Sequence, residues 1–116
     1  MLPDFSAPAF AFVALSALRF RAAEDGGGPG PYQSDYRCQF RYANDPKEVP
    51  DAEVRVYLVG REQVAAGEDV SALVAFLDWE RQRERCHEGS AFELREGARV
   101  TATGVVHAIA TRRSGT

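Results

Sequence analysis

The sequence predicts an all-β protein, a small six-stranded antiparallel β-barrel. Three observations carry that expectation. Apolar and polar residues alternate with period two in several separate segments. Short links rich in Gly, Pro, Asn and Asp divide those segments. No segment shows a convincing amphipathic helix, and short strands with short links favour a barrel.

Residues 1–9, punctuated by Pro3 and Pro8, read as a loose lead-in. A first strand is expected from about Phe10 to Ala22, with Leu18 and Phe20 inward and Arg19 and Arg21 outward. Glu24 to Pro31 is too rich in Gly and Pro for a regular element and reads as a mobile loop. The second strand is the clearest: Tyr36, Cys38, Phe40 and Tyr42 share one face, and Arg37, Gln39 and Arg41 the other. Asn44-Asp45-Pro46 ends it. Val54, Val56 and Leu58 alternate with Arg55 and Tyr57 in a third strand. Val64 to Asp69 reads as a turn, and Val70 to Leu77 as a strand buried on both faces. Asp78 to Glu88 fits either a solvated strand extension or one or two helical turns.

The last two strands flank a tight turn. Phe92 and Leu94 share a face, Glu93 and Arg95 the other, Glu96-Gly97-Ala98 reverses the chain, and an apolar-rich strand follows. The barrel is thus placed at residues 10–110, with a tail at 111–116. Its expected core includes Phe20, Tyr36, Phe40, Val56, Phe76, Phe92, Leu94 and Val105.

A chain of 116 residues suffices for one core without metal or disulfide staples. Its formal charge of −3 argues against a free-standing nucleic-acid binder, whose affinity rests on phosphate contacts. With two cysteines, Cys38 on an apolar strand face reads as a buried free thiol rather than half of a disulfide. The apolar stretch Phe5 to Leu18 lacks a preceding Lys or Arg and contains prolines nearby, unlike an export signal, and is too short to span a membrane. A soluble cytoplasmic protein is expected.

The run from Ser90 to Arg99, continuing to Val106, with Tyr36-Arg37-Cys38-Gln39-Phe40 upstream, resembles the C-terminal β-barrel, domain III, of elongation factor Tu. That family carries Phe-x-Ile-Arg-Glu-Gly-Gly-Arg-Thr-Val-Gly-Ala-Gly-Val-Val in its closing hairpin and Gly-Tyr-Arg-Pro-Gln-Phe in its second strand. Arg95, Glu96, Gly97, Arg99, Gly104, Val105 and Val106 are identical to the pattern. Cys38 replaces a proline, Ala98 and Ala102 replace glycines, and Gly28-Pro29 replaces an Arg-His pair. In elongation factor Tu this barrel helps hold the T stem of aminoacyl-tRNA, contacts the GTPase domain and meets the nucleotide exchange factor. The resemblance implies that Arg37 and the turn at Gly97 belong to the RNA-facing part of that surface.

Catalytic and metal-binding readings find little support. The only lysine, Lys47, has no glycine near it, so no phosphate-binding loop and no nucleotide site are expected. Cys86 and His87 are adjacent and on a strand point to opposite faces, so a nucleophile–base dyad is not expected; both read as solvated loop residues. Zinc would need paired short ligand spacings that Cys38, Cys86, His87 and His107 do not supply. No catalytic residue, metal or cofactor is therefore assigned.

The outward arginines Arg19, Arg21, Arg37 and Arg41 form one basic patch if the first two strands pair as a hairpin; otherwise they are solvated wall residues paired with Asp and Glu. Glu80 to Arg85 reads as a self-compensating charge run, and Trp79 as a core lid or an interface anchor. Arg37, Gln39, Arg95, Gly97 and Arg99 are the candidate binding residues. Their guanidinium groups suit carboxylates or phosphates equally. The expected function is a non-catalytic interaction module for a protein partner, with tRNA or other RNA as the alternative and neither membrane nor nucleotide involved.

Overall fold

A computed structural model describes residues 12–111. Among the described residues the strands are β1 Phe12–Phe20, β2 Tyr32–Gln33, β3 Tyr36–Tyr42, β4 Ala52–Leu58, β5 Gln63–Val64, β6 Asp69–Phe76, β7 Ala91–Glu96 and β8 Arg99–Thr111. One helical turn, α1 (Trp79–Gln82), joins β6 to β7. Six strands close an antiparallel barrel in the order β1-β6-β4-β3-β7-β8, and β2 pairs with β5 beside it. The six-stranded antiparallel barrel is thus the fold. The lead-in at 1–9, the strand start at Phe10, all but the first residue of the tail and the side chain of Trp79 lie outside the described residues.

The first two long strands do not form a hairpin. β1 runs between β6 and β8, while β3 runs between β4 and β7. In a ring of six, β3 stands three places from β1 in either direction. The reason lies in the glycine-rich link, which crosses the barrel mouth instead of turning tightly. Gly27 N–H donates to the Ala22 carbonyl at 3.1 Å, and a Cβ at Gly27 would stand 2.4 Å from the Arg21 oxygen. The link then lays Tyr32 on Phe20, with ring centroids 4.4 Å apart. It opens with a 3-10 turn at Ala23–Asp25, which the sequence did not predict, is irregular beyond it, and is seated on the barrel.

Alternation places Ala14, Leu18 and Phe20 of β1, Cys38 and Phe40 of β3, Val54, Val56 and Leu58 of β4, and Phe92 and Leu94 of β7 inside. Phe40 stacks on Phe92 at 4.5 Å and meets Phe76 edge-on at 4.8 Å. On β8 the inward residues are Ala102, Gly104 and Val106, whereas Val105, expected in the core, is 41% exposed. Packing decides that phase. A Cβ at Gly104 would stand 2.5 Å from Phe92 Cζ and 2.6 Å from Leu18 Cδ2, so these two side chains occupy the space Gly104 leaves. The apolar run of β6 is explained by a second cluster on the outer face, where Leu73 and Ala75 pack with Val13, Leu15, Tyr57 and Val59.

Residues 78–89 close the other mouth. α1 turns Gln82 inward, almost fully buried, to accept a hydrogen bond from Tyr42 Oη at 2.8 Å. The Gln82 carbonyl accepts the N–H of Cys86 at 2.8 Å, and Cys86 is buried rather than solvated while His87 is exposed. Arg85 lies 4.7 Å from the Tyr42 ring centroid and pairs with Asp45. Of the expected charge run, Arg81 pairs loosely with Asp78, but Gln82 is a core residue.

Two predictions follow from this packing. Gly104→Ala should lose about 1–3 kcal/mol of stability by urea unfolding, because the added methyl overpacks Phe92 and Leu18. Gly97→Asn should be nearly neutral: φ there is +63°, which Asn tolerates, and a Cβ meets nothing within 4 Å. A Gly104→Ala protein as stable as the parent would contradict the packing.

Cys38 and Cys86 are both free and buried, and burial pushes both thiols up. A folded-state value above the unfolded one means that the fold prefers the protonated thiol. That contribution is intact below the unfolded thiol pKa of about 8.5 and is lost as pH rises above it. Cys38 alone should cost about 1.4 kcal/mol per pH unit in that window. Urea titrations at neutral and alkaline pH should show the loss, and Cys38→Ala should shrink it.

Candidate functional site

The candidate residues gather where β3, β7 and β8 meet at the mouth crossed by the glycine-rich link. Register sets them side by side. Gln39 of β3 faces Glu53 of β4 on one side and Arg95 of β7 on the other, and Arg37 faces Arg55. Glu96 pairs with Arg99 across the turn at Gly97. The five residues therefore share one region, but only some of them are available to a ligand.

Gln39 is a clamp. Its Oε1 accepts the Gly97 N–H at 3.1 Å, and its Nε2 donates to Glu53 at 3.4 Å, which pins the turn to β3. Arg95 is held as well. Its Nε lies 3.4 Å from Glu93 Oε1, within ion-pair range though not aligned for a hydrogen bond, and Nη1 lies 4.0 Å from Asp51. Asp51 also accepts from Arg41 Nη1 at 2.9 Å. Gly97 contributes its left-handed backbone and an uncluttered surface. Arg37 and Arg99 are exposed and form no ion pair with another described residue.

Beneath the turn lies a phenol cluster. Tyr36 Oη donates to Glu96 and lies 3.0 Å from Thr101 Oγ1. Burial first, then the bond to Glu96, drives the Tyr36 phenol well above its ordinary value, so it remains a donor at every ordinary pH. Tyr32 Oη is buried under Gly28 with no well-aligned hydrogen bond among the described residues. Burial raises its pKa, and the Gly28 backbone only partly offsets this. The phenols thus hold the turn from below and offer no base.

The four outward arginines do not make the single patch that a hairpin would have built. Arg19 makes two hydrogen bonds to Asp69 across the β1–β6 pair, at 2.7 and 3.0 Å. Arg41 sits toward the other mouth, bound to Asp51 and to the carbonyls of Val49 and Pro46. Arg21 and Arg37 remain, and they approach the same mouth from opposite sides through β7 and β8. Sequence reasoning missed this pairing of Arg21 with the turn, because it depends on which strands are neighbours.

Among the described residues no three His, Cys, Asp or Glu side chains are grouped to hold a metal, and no helix is long and apolar enough to cross a membrane. Cys86 faces the barrel interior and His87 the solvent, so the adjacent pair is not a dyad. No protein-family model and no curated protein sequence matches this chain.

Proposed function

We propose that the chain is a non-catalytic interaction module of the cytoplasm, built on a barrel resembling domain III of elongation factor Tu, that binds a protein partner. The resemblance makes a translation-related partner the natural class. One observation carries the choice of protein over RNA: around Arg37 and Arg99 the neighbouring arginines already have carboxylates. Arg95 has Glu93 and Asp51, and Arg55 has Asp35 at 3.2 Å. An RNA backbone would meet these acids at close range, whereas a protein partner can place its few charges between them.

Arg37 and Arg99 then provide the anchoring donors, and Gln39, Arg95 and Gly97 fix the shape of the turn between them. Magnitude supports this division. Nucleic-acid binders with strong salt dependence neutralise roughly 6–10 phosphates, and each contributes a slope of about −0.7 to −0.9 in log affinity against log salt. The three unpaired arginines of this mouth, Arg21, Arg37 and Arg99, supply a slope of at most about −3.

Filter binding of tRNA over a salt series tests the reading. Retention should be negligible at about 150 mM salt. Firm retention there, with a slope steeper than about −3 that falls by about one unit in Arg37→Ala, would replace the protein partner by RNA.

A further inference from the structure

The three arginines that lack ion pairs at this mouth fall into one arc. β3, β7, β8 and β1 are consecutive neighbours in the barrel. Arg37 lies two residues from Gln39, whose side chain holds Gly97, so it borders the turn. Arg99 opens β8 directly beyond that turn. Arg21 follows β1 and donates its N–H to the Thr101 carbonyl at 2.7 Å, which sets it beside the start of β8. β3 and β1 stand on opposite sides of the ring, and six tilted strands about 4.8 Å apart make a barrel about 13 Å across.

The glycine-rich link leaves the two guanidinium groups beside it uncovered. A Cβ at Gly26 would come within 4.0 Å of Arg21 Nη1, and one at Gly28 within 3.7 Å of Arg99 Nη1. These are ordinary van der Waals distances, so the link runs beside both heads and its glycines place no side chain over them. Arg21, Arg37 and Arg99 are all exposed and none has an ion pair among the described residues, in contrast to Arg19, Arg41, Arg55, Arg61, Arg85 and Arg95. Glu96, opposite Arg99 across the turn, is engaged by Tyr36. Asp25 lines the recess beside Arg21 without pairing with it.

We infer that this arc docks an acidic, extended peptide segment of a partner protein, with carboxylates at alternate positions. Alternate residues of an extended chain point the same way and lie about 6.8 Å apart, so a five-residue segment with acids first, third and fifth covers about 14 Å. That length bridges the mouth from Arg37 on β3 to Arg21 after β1. Carboxylates suit the forked guanidinium donors, and neutral residues between them pass Glu96 and Asp25 without repulsion. A phosphodiester strand carries a charge at every step and lacks those gaps.

This inference rests on the protein-binding reading and sharpens it to a class of partner. The test is an NMR titration of the full chain with Ac-Glu-Ser-Glu-Ser-Glu-NH2, its all-Gln counterpart and a hexauridylate, each at low and moderate salt. Saturable shifts confined to Arg21, Arg37, Arg99 and the link 26–30, absent with the Gln peptide, are expected. Arg21→Gln and Arg99→Gln should each weaken binding about tenfold while leaving the thermal midpoint in place, whereas Arg61→Gln, whose partner is Glu68, should not. No saturable shift with the Glu peptide, or equal response to the Gln peptide, overturns the acidic segment and leaves the protein-binding reading standing. Tighter binding of hexauridylate at the same residues overturns both.

Discussion

Closure of the barrel by β1 is the constraint on which the rest depends. One nine-residue strand pairs with β6 on one side and β8 on the other, and this joins segments far apart in sequence. Closure removes both exposed sheet edges, which otherwise invite pairing with other chains. It also fixes the interior volume. Six strands leave room for one layer of side chains, and Phe40, Phe76 and Phe92 fill it only because Gly104 yields its place. The register shifts between Leu15 and Ser16 and between Leu94 and Arg95 are the local adjustments of a sheet bent onto itself.

The two mouths are closed by different chemistry, and this separates structural from available polar groups. At one, Gln82, Tyr42, Cys86, Arg85 and Asp45 form a satisfied plug that spends its polarity inside the molecule. At the other, aromatic stacking of Phe20, Tyr32 and Tyr36 provides the seal. The link above that seal carries Glu24 and Asp25 before its glycines and prolines, yet neither acid forms an ion pair with Arg21, Arg37 or Arg99. Polar groups at the plug are paired within the fold, whereas Arg21, Arg37 and Arg99 at the other mouth form no ion pair among the described residues.

Much of the barrel was legible because period-two alternation reports sidedness directly. Tyr36 to Tyr42 and Ala52 to Leu58 follow the pattern residue by residue. It failed where both faces are apolar. In Val-Val at 105 and 106 the inward choice depends on the volumes of Phe92 and Leu18, which no local pattern encodes. Gln82 and Cys86 looked solvated because the surrounding residues are charged, but α1 and the turn that follows it bring both inward. The site was half legible. The outward direction of Arg37 and the turn at Gly97 were readable, but the clamp by Gln39 and the locking of Arg95 depend on cross-strand partners.

Strand order carries the functional consequence furthest. Had β1 and β3 paired, Arg19, Arg21, Arg37 and Arg41 would stand on one two-stranded wall, with modest screened repulsion among them. With β3 opposite β1, the same residues are distributed, and cross-strand carboxylates reach Arg19 and Arg41. Arg21 and Arg37 escape because each lies at the mouth, where the strands end and a carboxylate-bearing neighbour runs out. Surface pairs of this kind are worth well under a kilocalorie each to the fold. Leaving three arginines unpaired therefore costs the fold little stability, whereas a ligand that desolvates them gains charge-assisted hydrogen bonds of greater strength. The end of the barrel is where an exposed cation costs the fold least.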